Sequence, residues 1–542
     1  MKKISRRTAI KGALAAGAST AVLAKVAIHS RPALAQGMKQ IRMVPHADLR
    51  VLDPIWTTAN VSAYHGAMIY DTLFAYDGNL QPQPQMVGRH GVSDDKKTYT
   101  FELRPGLKFH DGTAVTSKDC VASLRRWAAR DGAGQHMMQR VNDITAPDDK
   151  TIKIDLKEPY GLIYEALAKT STPLCYMMKE EVAKTDPNTQ ITKHIGCGPF
   201  KFVESEYRPG SRVVYDKNPD YVPRSEPASG IAGGKVVKID RVIWDVMPDA
   251  QTAASALING EIDFFEVPPI DIIPTLESAK GVKIEVLNKL GNVGYCRLNF
   301  LHPPFNNVKA RQAAQLAVSQ EDFLQAAIGN SKYYQTCGSH FTCGSPMGVE
   351  DGGEIFKMPM AQRQAKAREL LKESGYDGKP VIVLHATDIH VMNQAAQVIA
   401  QNLRQIGMNV QLAASDWGGV VTRRSIKVPP EAGGWNVFFT WGGGNATSSP
   451  INLFAHAATG ESAWFGWPSN ALHEQLRNEW AAAPSLEARR EVARRMNKNM
   501  IDYVHDIKTG QWVGPVAYRA DRIKGILPVP EILPWWNVER IG

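Results

Sequence analysis

The chain has 542 residues, 44% of them hydrophobic and 22% charged, with six cysteines and a formal charge of +9. That length exceeds what one hydrophobic core serves, so two or three domains are expected, and so few cysteines exclude a fold built on disulfides. Seven of the basic residues fall within residues 1–35 with no acid among them, which lowers the +9 to +2 for residues 36–542 and leaves no basic footprint for nucleic acid or anionic lipid.

Residues 1–35 account for that basicity. Arg6 and Arg7 precede a weakly apolar stretch, 12–26, and Ala33-Leu34-Ala35 follows with the small residues that a signal peptidase accepts. The segment reads as a secretory signal, too short and too rich in Ala and Gly to span a membrane. Its paired arginines point to the twin-arginine route, which carries folded proteins, and so to a periplasmic protein.

Further along, Thr98–Leu103 alternates at the period of a half-buried strand, and Pro105-Gly106 turns it into a second strand at 107–109. Residues 150–156 alternate in the same way, and 199–203 with 213–215 read as a hairpin across Arg208-Pro209-Gly210-Ser211. From about residue 236 the order changes. A strand over 236–247, a helix from Asp249 capped at Gly260 and a strand at 262–265 form a strand–helix–strand unit, so parallel pairing is expected. A strand near 295–300 then precedes helices at 308–318 and 321–328. Next come a helix over 362–372, a strand at 381–385, a helix over 392–406 and strands at 410–413 and 435–441. Helices at 470–480 and 485–504 follow, and strands return near 512–518. The reading is a multidomain α/β protein whose end returns to the first lobe.

Cys337 and Cys343 stand close in sequence with Gly338 and Gly344 beside them, and an oxidising compartment favours a disulfide between them. The competing reading is a metal pair with His340, but no second Cys or His pair follows at zinc-site spacing. Cys120, Cys175, Cys197 and Cys296 read as buried thiols.

Four segments then stand in order: 95–116 (DKKTYTFELRPGLKFHDGTAVT), 196–202 (GCGPFKF), 249–265 with Asn259-Gly-Glu-Ile-Asp263, and 304–313 (PFNNVKARQA). Together they resemble the peptide- and nickel-type extracellular solute-binding proteins of ABC importers, family 5, over nearly the whole exported chain. The resemblance implies a two-lobed, cluster C-like periplasmic binding fold with an extra domain in the first lobe. It implies a first lobe of 36–72, 196–288 and 510–542, an insertion of 73–195 and a second lobe of 289–509. Capture of a small ligand by hinge closure, and delivery to a permease and ATPase, go with it.

Dipeptide-binding relatives hold the ligand's termini with an Asp after a strand-ending Trp and an Arg before a second-lobe helix. Here the Trp matches Trp441, but 442–452 contain no charge, and Gly444 stands at the Asp position. The Arg position falls at Asp388-Ile389-His390, without an Arg. What remains is an uncharged loop flanked by aromatics. Trp441, Trp417 and Tyr295 are candidates to stack on a ligand, and Asn445 and Asn299 to orient it. Arg297, on the strand face of Tyr295 and Asn299, is a candidate for an anionic group. Trp56 lies in a first-lobe segment that lines the cleft in relatives, and His390 completes the set. The ligand classes left open are peptide-like, opine-like, sugar and chelate.

An exported enzyme and a ligand-presenting sensory receptor are the alternatives. No Gly-x-Ser-x-Gly, His-Glu-x-x-His or Gly-x-x-x-x-Gly-Lys motif is present, so no catalytic residue is expected. His385 and His390 do not share a helix face as a metal pair would. No metal, cofactor or nucleic-acid partner is expected, and the protein is read as a monomer.

Overall fold

The computed structural model describes residues 37–483 and 485–541, so the expected signal at 1–35 lies outside the described residues. Among the described residues no helix is long and apolar enough to cross a membrane.

Three sheets organise the chain. The first has seven strands in the order Val282–Glu285, Val516–Arg519, Phe264–Phe265, Gln40–Val44, Arg241–Asp245, Arg212–Lys217 and Phe200–Phe202. The expected strand–helix–strand unit is present. Helix Ala250–Asn259 starts where Asp249 accepts the Thr252 N–H at 2.7 Å and stops at Gly260, whose φ of 72° suits a residue without Cβ. Its flanking strands are parallel but do not touch, because Gln40–Val44 lies between them and pairs with both. The strand expected at 236–247 is only Arg241–Asp245, since its ladder begins where Gln40 offers a partner. The hairpin closes as expected, with Phe202 opposite Tyr215.

The inserted domain carries the antiparallel sheet Val87–Val92, Thr98–Leu103, Thr151–Leu156 and Val141–Thr145. Tyr99, Phe101 and Leu103 point inward, as the alternation requires. Residues 107–109 form no strand, only a bridge from Lys108 to Ala114. The insertion is tied to the first lobe by a fully buried ion pair, Arg126 Nη2 to Asp53 Oδ2 at 2.6 Å.

The third sheet runs Tyr334–Gln335, Ile507–Trp512, Asn292–Leu298, Val437–Gly443, Val381–Ala386 and Val410–Ser415. Its last three strands are parallel, and helices Gln320–Ala327 and His390–Gln405 pack against it. The strands expected near 512–518 are two, and they lie in different sheets. Ile507–Trp512 belongs to this sheet and Val516–Arg519 to the first, parted at Val513-Gly514-Pro515, where proline has no N–H for a ladder. The second lobe's sheet therefore runs to Trp512. The chain also crosses between Val282–Glu285 and Asn292–Leu298, so two connections join the lobes.

Candidate functional site

Both lobes turn the carboxyl ends of their parallel strands to the side where the two connections run. In the second lobe Asn292, just past one connection, lies opposite both Gly443 and Trp512. In the first, Glu285 lies opposite Val516 and Phe265 opposite Ala517. Crevices outside the carboxyl ends of strands are where open α/β sheets bind ligands. The segments that follow these strand ends carry His46 and Glu266 in the first lobe, and 387–390, 416–417 and 443–447 in the second. A surface recess lined by His302, Asn307, Tyr376, Pro429 and Glu431 is at the opposite edge of the third sheet, beside the starts of its parallel strands.

Trp441 is half-buried, its ring 5.9 Å edge-on to Trp512. After it the backbone passes very close to its neighbours. A Cβ on Gly443 would stand 2.0 Å from Glu531 Oε1, and one on Gly444 would stand 2.3 Å from the Leu290 carbonyl oxygen. Only glycine permits both approaches. The Asn445 and Ala446 N–H groups donate to Glu531 Oε1 at 3.0 and 3.2 Å, and Asn445 Nδ2 donates to Thr170 Oγ1 of the insertion at 2.7 Å. The uncharged loop thus meets an acid after all, from a distant segment.

On the first-lobe side, His46 Nδ1 is 2.8 Å from Glu266 Oε1, and the His46 backbone N–H donates to Glu266 Oε2 at 2.8 Å. Burial lowers the affinity of His46 for a proton, but the Glu266 carboxylate more than offsets this and raises its pKa. Tyr64, buried and 5.4 Å edge-on to His46, has its hydroxyl pKa pushed well up by burial, then by Glu266 and Glu531. His46, Tyr64, Thr170, Glu266 and Glu531 escaped the sequence reading. Glu266 alone left a signal, an acid directly after the strand Phe264–Phe265.

The other expected site residues are scattered. Trp417 and His390 follow the strands Val410–Ser415 and Val381–Ala386, on the same edge as Trp441. Trp417 is half-buried under the Arg424 guanidinium, and His390 is exposed. Trp56 faces the insertion, its indole N–H on the Asn188 carbonyl at 2.8 Å. Tyr295, Arg297 and Asn299 do not reach the edge together, because a strand advances about 3.3 Å per residue and this one runs away from it. Asn299 lies at the far end, donating to the Trp435 carbonyl at 2.9 Å. Arg297 is fully buried and donates to the carbonyls of Phe465 and Ala455 at 2.7 and 3.0 Å, so it serves the lobe's interior instead of an anionic ligand.

Arg297 and Tyr295 border a buried polar cluster of His340, His456, His473, His505, Asp506 and Lys508. Asp506 Oδ1 lies 3.1 Å from His340 Nδ1 and 3.4 Å from Lys508 Nζ. Burial, then the Arg477 charge, lowers His473 to about 3, and burial, then His194, takes His65 of the first lobe to about 3. Unfolding frees each to titrate near 6.5, so the stability each contributes is whole above that pH. It is lost at about 1.4 kcal/mol per pH unit as the pH falls towards 3. Urea unfolding at pH 7 and pH 5 is expected to show a lower free energy at pH 5; equal values would mean that these imidazoles are charged in the folded protein.

Cys337 and Cys343 form the disulfide, which displaces the metal reading, and the other four cysteines are buried and free. The loop it closes supports the site from below, Thr342 Oγ1 donating to the Gly444 carbonyl.

Two α/β lobes joined by two connections, with a domain inserted in the first and the carboxyl ends of their parallel strands turned to that junction, define a two-lobed solute-binding protein of the periplasmic type. Residues 81–464 match the model of the bacterial extracellular solute-binding proteins, family 5, and the chain belongs to that family. It is 45% identical to a probable peptide ABC transporter periplasmic-binding protein of Sinorhizobium fredii, over 99% of both chains. It is 28% identical to the glutathione-binding protein GsiB of Pectobacterium atrosepticum, over 68% of this chain and 67% of that one. Its fold is similar to that of the Escherichia coli murein tripeptide binding protein MppA, at a TM-score of 0.76 and 17% identity, over 93% of this chain and 99% of that one. The protein is a substrate-binding component of ABC transport that works outside the cytoplasmic membrane.

Proposed function

We propose that this protein captures a short peptide or peptide-like molecule between its lobes, closes around it, and presents it to the permease and ATPase of an ABC importer. The observation that carries the reading is the junction itself. Trp441 and the close-packed loop after it end a parallel strand of the second lobe, while His46 and Glu266 follow parallel strands of the first and Tyr64, from the helix Asn60–Ile69, packs on His46. The peptide part rests on the 45% identical relative. An aromatic face with hydrogen-bonding loops suits a ligand of mixed polarity, and the ligand's better contacts in the closed state supply the free energy of closure. The protein acts as a monomer by binding alone, without catalysis, metal or cofactor, and reaches the periplasm by the twin-arginine route.

Calorimetric titration with a tripeptide pool tests this. Trp441→Ala is expected to weaken binding about tenfold through loss of a stacking face, with the unfolding midpoint little changed because the ring is only half-buried. Unchanged affinity would move the site away from Trp441. Mass spectrometry of protein taken from its own periplasm, showing one non-peptide ligand, would overturn the peptide part.

A further inference from the structure

Glu531 is a carboxylate whose charge the protein does not balance. Its residue is 8% exposed and its backbone sits at φ 63°, a left-handed conformation for a side chain other than glycine. Oε1 accepts the Asn445 and Ala446 N–H groups, while no described residue donates a hydrogen bond to Oε2. No Lys, Arg or His stands within ion-pair distance among the described residues. Lys169 acts on Glu531 only from beyond that distance, and its own partner is Asp131, 2.7 Å away. The other acid of the junction, Glu266, already holds His46. Burial pushes the Glu531 carboxyl up, and the two N–H groups and Lys169 pull it only part of the way back. A buried anion left in this state is costly unless a cation joins it.

We infer that Glu531 is the anchor for a primary ammonium group of the ligand, received at its free oxygen Oε2 where the two lobes meet. This rests on the junction's being the ligand site. The chemistry selects an ammonium over a guanidinium. A guanidinium forks onto both carboxylate oxygens, and Oε1 is already committed to two N–H groups, whereas a compact –NH3+ needs a single acceptor. Holding the loop does not need the charge, since a glutamine oxygen would accept the same two N–H groups. The negative charge is what remains unexplained by structure alone.

The test separates the charge from the latch. A tripeptide pool, the same pool N-acetylated, and a set of non-peptide primary amines are titrated against wild type, Glu531→Gln and Glu531→Asp, with unfolding midpoints recorded for all three. Wild type is expected to prefer the free pool to the acetylated one by about 30-fold, the range of a lost charge-assisted hydrogen bond. In Glu531→Gln that preference is expected to fall to within about threefold, with an unchanged midpoint. Glu531→Asp, which keeps the charge, is expected to retain part of it. Should Glu531→Gln not fold, the Asp variant and the wild-type acetylation ratio decide. Acetylated peptides bound as well as free ones, or a preference that survives in Glu531→Gln, overturns the anchor and leaves the peptide reading standing. Amines bound in place of peptides, and lost in Glu531→Gln, keep the anchor and overturn the peptide reading. Binding of none of the three probe sets counts against both.

Discussion

Arg126→Met is expected to lower the free energy of unfolding by about 3–5 kcal/mol, the cost of leaving one member of a buried ion pair alone. Arg126 and Asp53 are both fully buried and 2.6 Å apart, one in the insertion and the other in the first lobe. Around them the bonds multiply. Arg126 also donates to the carbonyls of Thr185, Asp186 and Thr189, and Asp53 accepts the N–H groups of Ile55, Trp56 and Ile191. Removal of the guanidinium strands three carbonyls and a carboxylate at a fully buried position. Asp53→Asn added to Arg126→Met removes the stranded charge, so the double variant is expected to lose less than the sum of the two single ones. Urea denaturation reads all three. A loss under about 1 kcal/mol for Arg126→Met would mean that the insertion docks without this pair.

Gly443→Ala is expected to weaken ligand binding by about 100-fold, roughly 3 kcal/mol, with little effect on the second lobe's own stability. The new Cβ would stand 2.0 Å from Glu531 Oε1, so the carboxylate must leave. Its departure breaks two hydrogen bonds to a charged acceptor, each contributing about 1.5–3 kcal/mol. The φ of Gly443, −59°, is open to any residue, so the lobe itself folds without strain. The damage falls on the contact between lobes. A variant that folds normally and binds as tightly as wild type would show that this contact is not made in the liganded protein. Gly444→Ala acts differently, since its Cβ meets the Leu290 carbonyl within the same lobe, and it is expected to lower stability as well.

Much of this protein is legible from local chemistry. The alternation at Thr98–Leu103 and at 150–156 marks strands because a sheet with one buried face needs period two, and both pair in the insertion. Asp249 and Gly260 bound a helix because a cap needs an acceptor at one end and a left-handed residue at the other. Cys337 and Cys343, six residues apart, form the bond their spacing allows. The absence of acid from 442–452, and the aromatic end of the strand before it, are likewise plain in the letters.

What the letters do not carry is which distant segments meet. Gln40–Val44 enters the first sheet between two strands that look adjacent, and 512–518, one apolar run, divides between two sheets at Pro515. Arg297 shares its strand with Tyr295 and has the chemistry of an anion clamp, yet depth along the strand, invisible to a pattern of period two, buries it. Glu531 stands among prolines and tryptophans in a tail without periodicity, and only the return of that tail across the junction puts its carboxylate on the Gly443–Ala446 backbone. Sequence by itself determined the family, the elements and the emptiness of the loop, because each depends on neighbours along the chain. The tertiary structure decided where the site's charge comes from, because a buried carboxylate takes its meaning from partners hundreds of residues away.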